Sequence, residues 1–168
     1  MKKVFDGKLL KVHVMKRRLP HGYRATYEVI KHPGAALVVP FLARDRVIML
    51  RQLRPVIGKY IYEFVAGTLD KGEKPLACAR REIVEETGYR ARRFVYLGKI
   101  HPVPGYSTET IFLYKATGLT KVDGHTPELD EVIETHIMTR SQVRRLFRSG
   151  KLTDAKTIAA LAMCHWLG

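Results

Sequence analysis

The chain is expected to fold as an α/β (α+β) sandwich. Short apolar or alternating runs recur along it and read as strands, helical patterns interrupt and close the series, and no repeat or long linker divides it. Strands with helices inserted between them favour such a sandwich over a parallel doubly wound sheet.

The elements follow in order. Residues 8–14 and 24–31 read as strands around the turn PHGY at 20–23, an N-terminal antiparallel extension. Residues 35–43 form a nearly continuous apolar run, as a buried strand does. Residues 46–53 alternate well enough to pair with it across the turn Arg44–Asp45. A short strand is predicted at 60–65. A helix then starts at Pro75, which suits a first helical position, and stops before Gly88, which suits the residue past a helix end. Strands are predicted at 94–100, 110–115 and 132–138. Two helices close the chain: one capped by Ser141 and ending near Gly150, and one starting at Thr153 or Asp154 and running through IAALAMCHWL. At 168 residues the whole, 1–168, reads as one domain, with 1–34 an N-terminal addition to a core of 35–168.

Composition narrows the function. The chain is 46% hydrophobic and 27% charged, and no run approaches 18 apolar residues, so no membrane span is expected. The start is too charged and alternates too early for a signal peptide, which makes a cytoplasmic enzyme the simplest placement. Cys78 and Cys164 form neither a disulfide framework nor a metal spacing, and Cys78 reads as a packed or idle thiol. The net charge of +14 favours anionic partners such as nucleotides. The doublets Arg17–Arg18, Arg92–Arg93 and Arg144–Arg145 are dispersed, which argues against a dedicated nucleic-acid surface. The chain has no Asn and only two Gln, Gln52 and Gln142, a tendency of thermophilic proteins.

The most informative stretch is 67–89, GTLDKGEKPLACARREIVEETGY. On the predicted helix, Leu76, Ala79 and Ile83 make the apolar seam, Glu82 and Glu86 flank it on adjacent turns, and Glu85 is more peripheral. Like charges at that spacing repel by a few tenths of a kcal/mol per pair. A hard divalent cation would reverse the cost, because carboxylate oxygens hold it. Arg81 is expected to point away from the Glu82/Glu86 edge and to brace the loop that contains Glu73. A solvated charged helix explains any single Glu pair but not the whole block. Seven fixed residues and two hydrophobic ones would recur by chance on the order of one in a billion windows.

The block reads G-x5-E-x7-R-E-I-x-E-E-x-G-Y and resembles the signature of the Nudix hydrolases. The resemblance implies an α/β/α sandwich around a mixed β-sheet, and hydrolysis of a nucleoside diphosphate linked to another group. Outside the signature, LRQLRPVIGKYIYEFVAG at 50–67, PVPGYSTE at 102–109, EVIKHPGAALVVP and KLTDAKTIAAL resemble the ADP-ribose pyrophosphatase branch, with Val65 standing where that branch usually has proline. By that resemblance the Ala66 carbonyl, Glu82 and Glu86 would bind Mg²⁺, or Mn²⁺ in its place, with Glu85 assisting. Arg54 would touch substrate phosphate or ribose, unless it is a solvated strand-end arginine. Glu63 would contact substrate, brace the loop or sit at the surface. Tyr106 would line the pocket or simply pack, and Glu109 would face the cleft or start a strand. The general base would come from the acidic run 127–134, with Glu131 first and Glu128 second, unless that run is an ordinary surface turn. The branch also implies a homodimer that exchanges N-terminal strands, with Tyr23 and Tyr27 as candidates for base stacking. The expected reaction converts ADP-ribose to AMP and ribose 5-phosphate. GDP-mannose or another nucleotide-sugar, a dinucleoside polyphosphate, and a non-catalytic nucleotide- or RNA-binding module are the competing readings.

Overall fold

The computed structural model describes residues 1–8, 10–122 and 132–167. A three-stranded antiparallel sheet opens the chain: β1 (Lys2–Asp6), β2 (Lys11–Arg18) and β3 (Arg24–Lys31). The main sheet has seven strands. β4 (Ala35–Ala43), β5 (Arg46–Arg54), β8 (Tyr89–Ile100), β9 (Ile111–Lys121) and β10 (Ile133–Thr139) lie in the order β10-β5-β4-β9-β8. β6 (Lys59–Glu63) pairs with β5, and β7 (Val65–Thr68) with β4. The β4–β9 pair is parallel and the others are antiparallel, so the sheet is mixed as expected.

The apolar run at 35–43 is the central strand, buried on both faces. Alternate side chains of a strand face opposite ways. Ala36 and Val38 join Cys78, Ala79 and Ile83 of α1 (Pro75–Thr87) on one face. Leu37 and Val39 join Val143 of α2 (Arg140–Arg148) and Ala160 and Leu161 of α3 (Ala155–Met163) on the other. These two cores make the α/β/α sandwich.

Several element ends differ from expectation, each for a local reason. The strand predicted at 60–65 is two strands, because the chain changes partner at Phe64 and spends that N–H on Thr157 Oγ1 at 2.8 Å. β8 and β9 extend to Tyr89 and Lys121. The Arg-rich outer half of β8 lacks apolar alternation, as befits a sheet edge guarded by charge. Thr139, not Ser141, caps α2. Its hydroxyl accepts from the Gln142 N–H, and Gln142 Oε1 accepts from the Thr139 N–H at 2.8 Å, a capping box. α3 stops at Met163, and the chain turns at His165 (φ 55°) to set Trp166 edge-on against Phe41, ring centres 5.2 Å apart. β1 was not foreseen.

The α1 boundaries match expectation. Pro75 occupies the first turn, and Gly88 is left-handed at φ 69°, its N–H donating to the Val84 carbonyl. Only a residue free of a Cβ takes that conformation without strain.

Candidate active site

α1 packs on β4 and β7, which sets its carboxylates against the strand backbone. Glu82 and Glu86 are each only 9% exposed. Glu86 Oε2 accepts from the Ala66 N–H at 3.2 Å. Glu82 lies so close over Gly67 that a Cβ built there would stand 1.6 Å from Glu82 Oε1. Glycine at 67 is therefore a steric requirement of the carboxylate's position. Glu85, rotated by about 100° around the helix from Glu86, is more open, its side chain 38% exposed. The helical phase read from the sequence assigned these three positions correctly.

Arg81 corrects one expectation. It does not point away from the Glu82/Glu86 edge; it turns back and gathers three carboxylates. Nη1 donates to Glu82 Oε1 at 2.7 Å and to Glu85 Oε2 at 2.8 Å, while Nε and Nη2 donate to Glu73 at 3.2 and 3.0 Å. A long side chain one position from Glu82 reaches across the helix surface, which a wheel of Cα angles does not show. The loop-bracing part of the expectation holds, since Nη2 also reaches the Thr68 carbonyl at 3.3 Å. The Glu73 hydrogen bond, followed by the Glu82 charge and the Glu85 hydrogen bond, holds Arg81 above its usual range although burial opposes it. Reciprocally, the Arg81 hydrogen bond and then the Asp70 N–H hold Glu73 below the usual carboxylate range.

Cys78 is packed but not idle. Its Sγ sits 3.5 Å from the Gly67 carbonyl and 3.8 Å from that of Thr68, where the thiol proton can be donated. Burial, then the charges of Glu82 and Glu73, pushes its pKa up to about 12. It is a neutral brace and a poor nucleophile.

A second group lies three residues before Ala66. Glu63 is 3% exposed, not a surface carboxylate. Arg54 grips it with Nη2 at 2.5 Å and Nε at 3.1 Å, and Lys156 Nζ meets its other oxygen at 3.2 Å. Burial opposes the Arg54 charge, but Glu63, Glu86 and Asp154 outweigh it, so the guanidinium pKa is raised. Glu86 thus acts on Arg54, and the two groups share one electrostatic environment.

Tyr106 and Glu109 make their contacts toward the N-terminal sheet. The Ile30 N–H donates to the Tyr106 carbonyl at 2.7 Å, and Glu109 Oε1 stands 3.9 Å from His32 Nε2. The Tyr106 side chain is half exposed and lines a cleft of about 430 Å³ with Met15, Arg18, Tyr27 and Val29. Tyr23 is exposed and stacks on His21 outside that lining. Glu128 and Glu131 lie outside the described residues.

Among the described residues, no cluster of three or more His, Cys, Asp or Glu side chains has metal-holding geometry by itself. The donor set available is two buried carboxylates and a backbone edge. In an antiparallel ladder the N–H and C=O of one residue face the same edge. The Ala66 N–H faces Glu86 and not β4, so its carbonyl belongs to that edge too. These oxygens suit a hard divalent cation.

Sequence reading missed Lys156, Asp154 and Thr157. The signals were DAKT at the start of a helix, an N-cap aspartate with a lysine two positions on, and the resemblance of KLTDAKTIAAL to the branch, neither of which pointed to Glu63 or Phe64.

Comparison with known proteins agrees with this geometry. A NUDIX domain model matches residues 31–161, which leaves most of the N-terminal sheet outside it. An ADP-ribose pyrophosphatase of Bacillus subtilis (strain 168) is 33% identical over 159 residues, covering 94% of this chain and 86% of that protein. A methanol dehydrogenase activator of Bacillus methanolicus has the same identity and coverage. A crystal structure of an ADP compounds hydrolase superposes with a TM-score of 0.84 at 22% identity, covering 98% of this chain and 89% of that one, and shows the fold. With the signature residues folded against Ala66–Gly67 and the family model spanning most of the sequence, the chain belongs to the NUDIX domain family.

Proposed function

We propose that this NUDIX pyrophosphohydrolase cleaves ADP-ribose to AMP and ribose 5-phosphate. The observation that carries the reading is the pair Glu82 and Glu86, buried and folded onto the Ala66–Gly67 backbone. Similarity to an ADP-ribose pyrophosphatase over nearly the whole chain supports the substrate.

We assign Mg²⁺, replaceable by Mn²⁺, to Glu82, Glu86 and the Ala66 carbonyl, with Glu85 assisting. When bound, such a cation neutralises diphosphate charge and makes a water more acidic. The chain's own residues do the rest. Arg54 offers its open edge to a phosphate or ribose oxygen, where a charge-assisted hydrogen bond is strongest. Glu131, or Glu128 as the alternative, accepts the proton of the attacking water. Arg81 keeps Glu73, Glu82 and Glu85 in register. Water attacks one phosphorus, and the P–O–P bond breaks toward the other phosphate.

The protein is further proposed to be a cytoplasmic homodimer joined through residues 1–34. Val4 and Phe5 of β1 and Leu10 beside it are exposed, which supports an uncovered apolar surface there. Sedimentation of Val4→Asp/Phe5→Asp should show a shift to monomer. No helix among the described residues is long and apolar enough to cross a membrane.

The function is tested by incubating the protein with Mg²⁺ and ADP-ribose, GDP-mannose or a dinucleoside polyphosphate, then separating products. AMP released fastest from ADP-ribose is the expected result. Preference for GDP-mannose overturns the assignment, and no hydrolysis across the panel returns the reading to a binding module.

A further inference from the structure

The first turn of α3 grips the strand that leads into the site. Asp154 caps the helix, Oδ2 accepting from the Thr157 N–H at 3.0 Å. Its other oxygen holds Lys156 Nζ at 2.9 Å, and the same ammonium reaches Glu63 Oε1 at 3.2 Å. Thr157, fully buried, accepts from the Phe64 N–H. Consecutive residues of α3 thus hold consecutive residues at the junction of β6 and β7. Lys156 is only 18% exposed and Asp154 12%, so the ammonium is fixed between two carboxylates.

Glu63 connects this anchor to Arg54. A guanidinium has five N–H donors in a rigid fork. Arg54 commits Nε and one edge of Nη2 to Glu63, and among the described residues Nη1 has no partner. With its side chain 39% exposed, Arg54 is the open member of the group. A carboxylate as buried as Glu63 needs a counter-ion at all times, because an unpaired buried charge is strongly destabilising. If Arg54 were its only cation, any pull on the guanidinium by a substrate anion would unbalance Glu63. Lys156 removes that conflict by keeping Glu63 compensated.

We propose that Lys156 is a positioning residue, holding Glu63 so that the Arg54 guanidinium keeps its free edge turned outward for an anionic oxygen of the substrate. The proposal rests on Arg54 contacting substrate.

Steady-state kinetics use the nucleotide that the wild type cleaves fastest. Lys156→Met should raise KM about tenfold, as a misaimed binding group does, with kcat within about twofold. Lys156→Arg should restore KM. Arg54→Ala/Lys156→Met should be no worse than Arg54→Ala alone, because Lys156 acts through Arg54. Lys156→Gln, uncharged but still a donor, replaces Lys156→Met if that variant fails to fold. A wild-type KM in the charge-free variants overturns the proposal, and so does an equal KM increment on top of Arg54→Ala, or a fall in melting temperature and kcat at unchanged KM. If Arg54→Ala itself keeps the wild-type KM, the assignment of Arg54 to the substrate fails first, and Lys156 with it.

Discussion

Replacing Gly67 by alanine drives a methyl group into the Glu82 carboxylate. The added Cβ would lie 1.6 Å from Oε1 and 1.9 Å from Cδ, where ordinary contact begins at 3.4 Å. The carboxylate must therefore retreat by about 1.8 Å, or β7 must move by as much. The strand is not free to move, since Ala36 pairs with Gly67 and Leu37 with Ala66. Misplacing a reacting group by about 1 Å costs around 10²-fold in rate, so turnover in Gly67→Ala should fall by about 10²- to 10³-fold. Overpacking of this kind also destabilises by about 1–3 kcal/mol. The assay is kcat beside a thermal melt, for Gly67→Ala, Glu82→Ala and the double variant. Glu82→Ala removes the clashing group, so the double variant should melt above Gly67→Ala while remaining as inactive. A Gly67→Ala protein with near-normal turnover would refute the place given to Glu82. An equally low melt in the double variant would refute the steric account.

Glu86→Gln should lose about 10³-fold or more in rate while staying folded, because the amide oxygen can still accept from Ala66 but carries no charge for a cation; circular dichroism and turnover check both halves. Acid should weaken the fold in a defined window. Glu73 has a depressed pKa, so its contribution is present above the unfolded value of 4.5 and is lost as pH falls through the lower folded value. Asp6, lowered from 3.8 to about 2 by Lys11 and then Lys3, follows the same sign at lower pH. Chemical denaturation below pH 4.5 should show stability falling with pH, less steeply in Glu73→Gln. The amide-poor composition predicts a melt above the range of about 45–65 °C usual for mesophilic domains, and a midpoint inside that range would count against it.

The sandwich and α1 were legible because local signals and burial agree there. Ala35–Ala43 is apolar on both faces, and Pro75 and Gly88 bracket a helix whose phase alone ranks Glu82 and Glu86 above Glu85. What stayed hidden depends on partners far along the chain or on the reach of a side chain. Nothing near Phe64 announces the change of strand partner, since its N–H is taken by Thr157 from the last helix. Glu63 could not be placed because one of its two cationic partners, Lys156, lies 93 residues further along the chain. Arg81 was misdirected because backbone phase places a Cβ but not a guanidinium several bonds further out. The outer half of β8 escaped because its arginines suit an edge and mask the strand period.

The grip of α3 on Glu63 and Phe64 has a consequence for the order in which the molecule is made. Both contacts span 93 residues. During synthesis, α1 and its glutamates emerge early and can form from local contacts, whereas the segment entering Ala66–Gly67, already paired with β5 and β4, lacks its contacts to Lys156 and Thr157 until α3 leaves the ribosome. Non-local closure of this kind is slow compared with helix formation. The nascent chain should thus pass through a stage with its signature helix complete and with Glu63 and Phe64 still without their α3 partners. A stop codon before Asp154 would leave the protein in that stage, with every signature residue present.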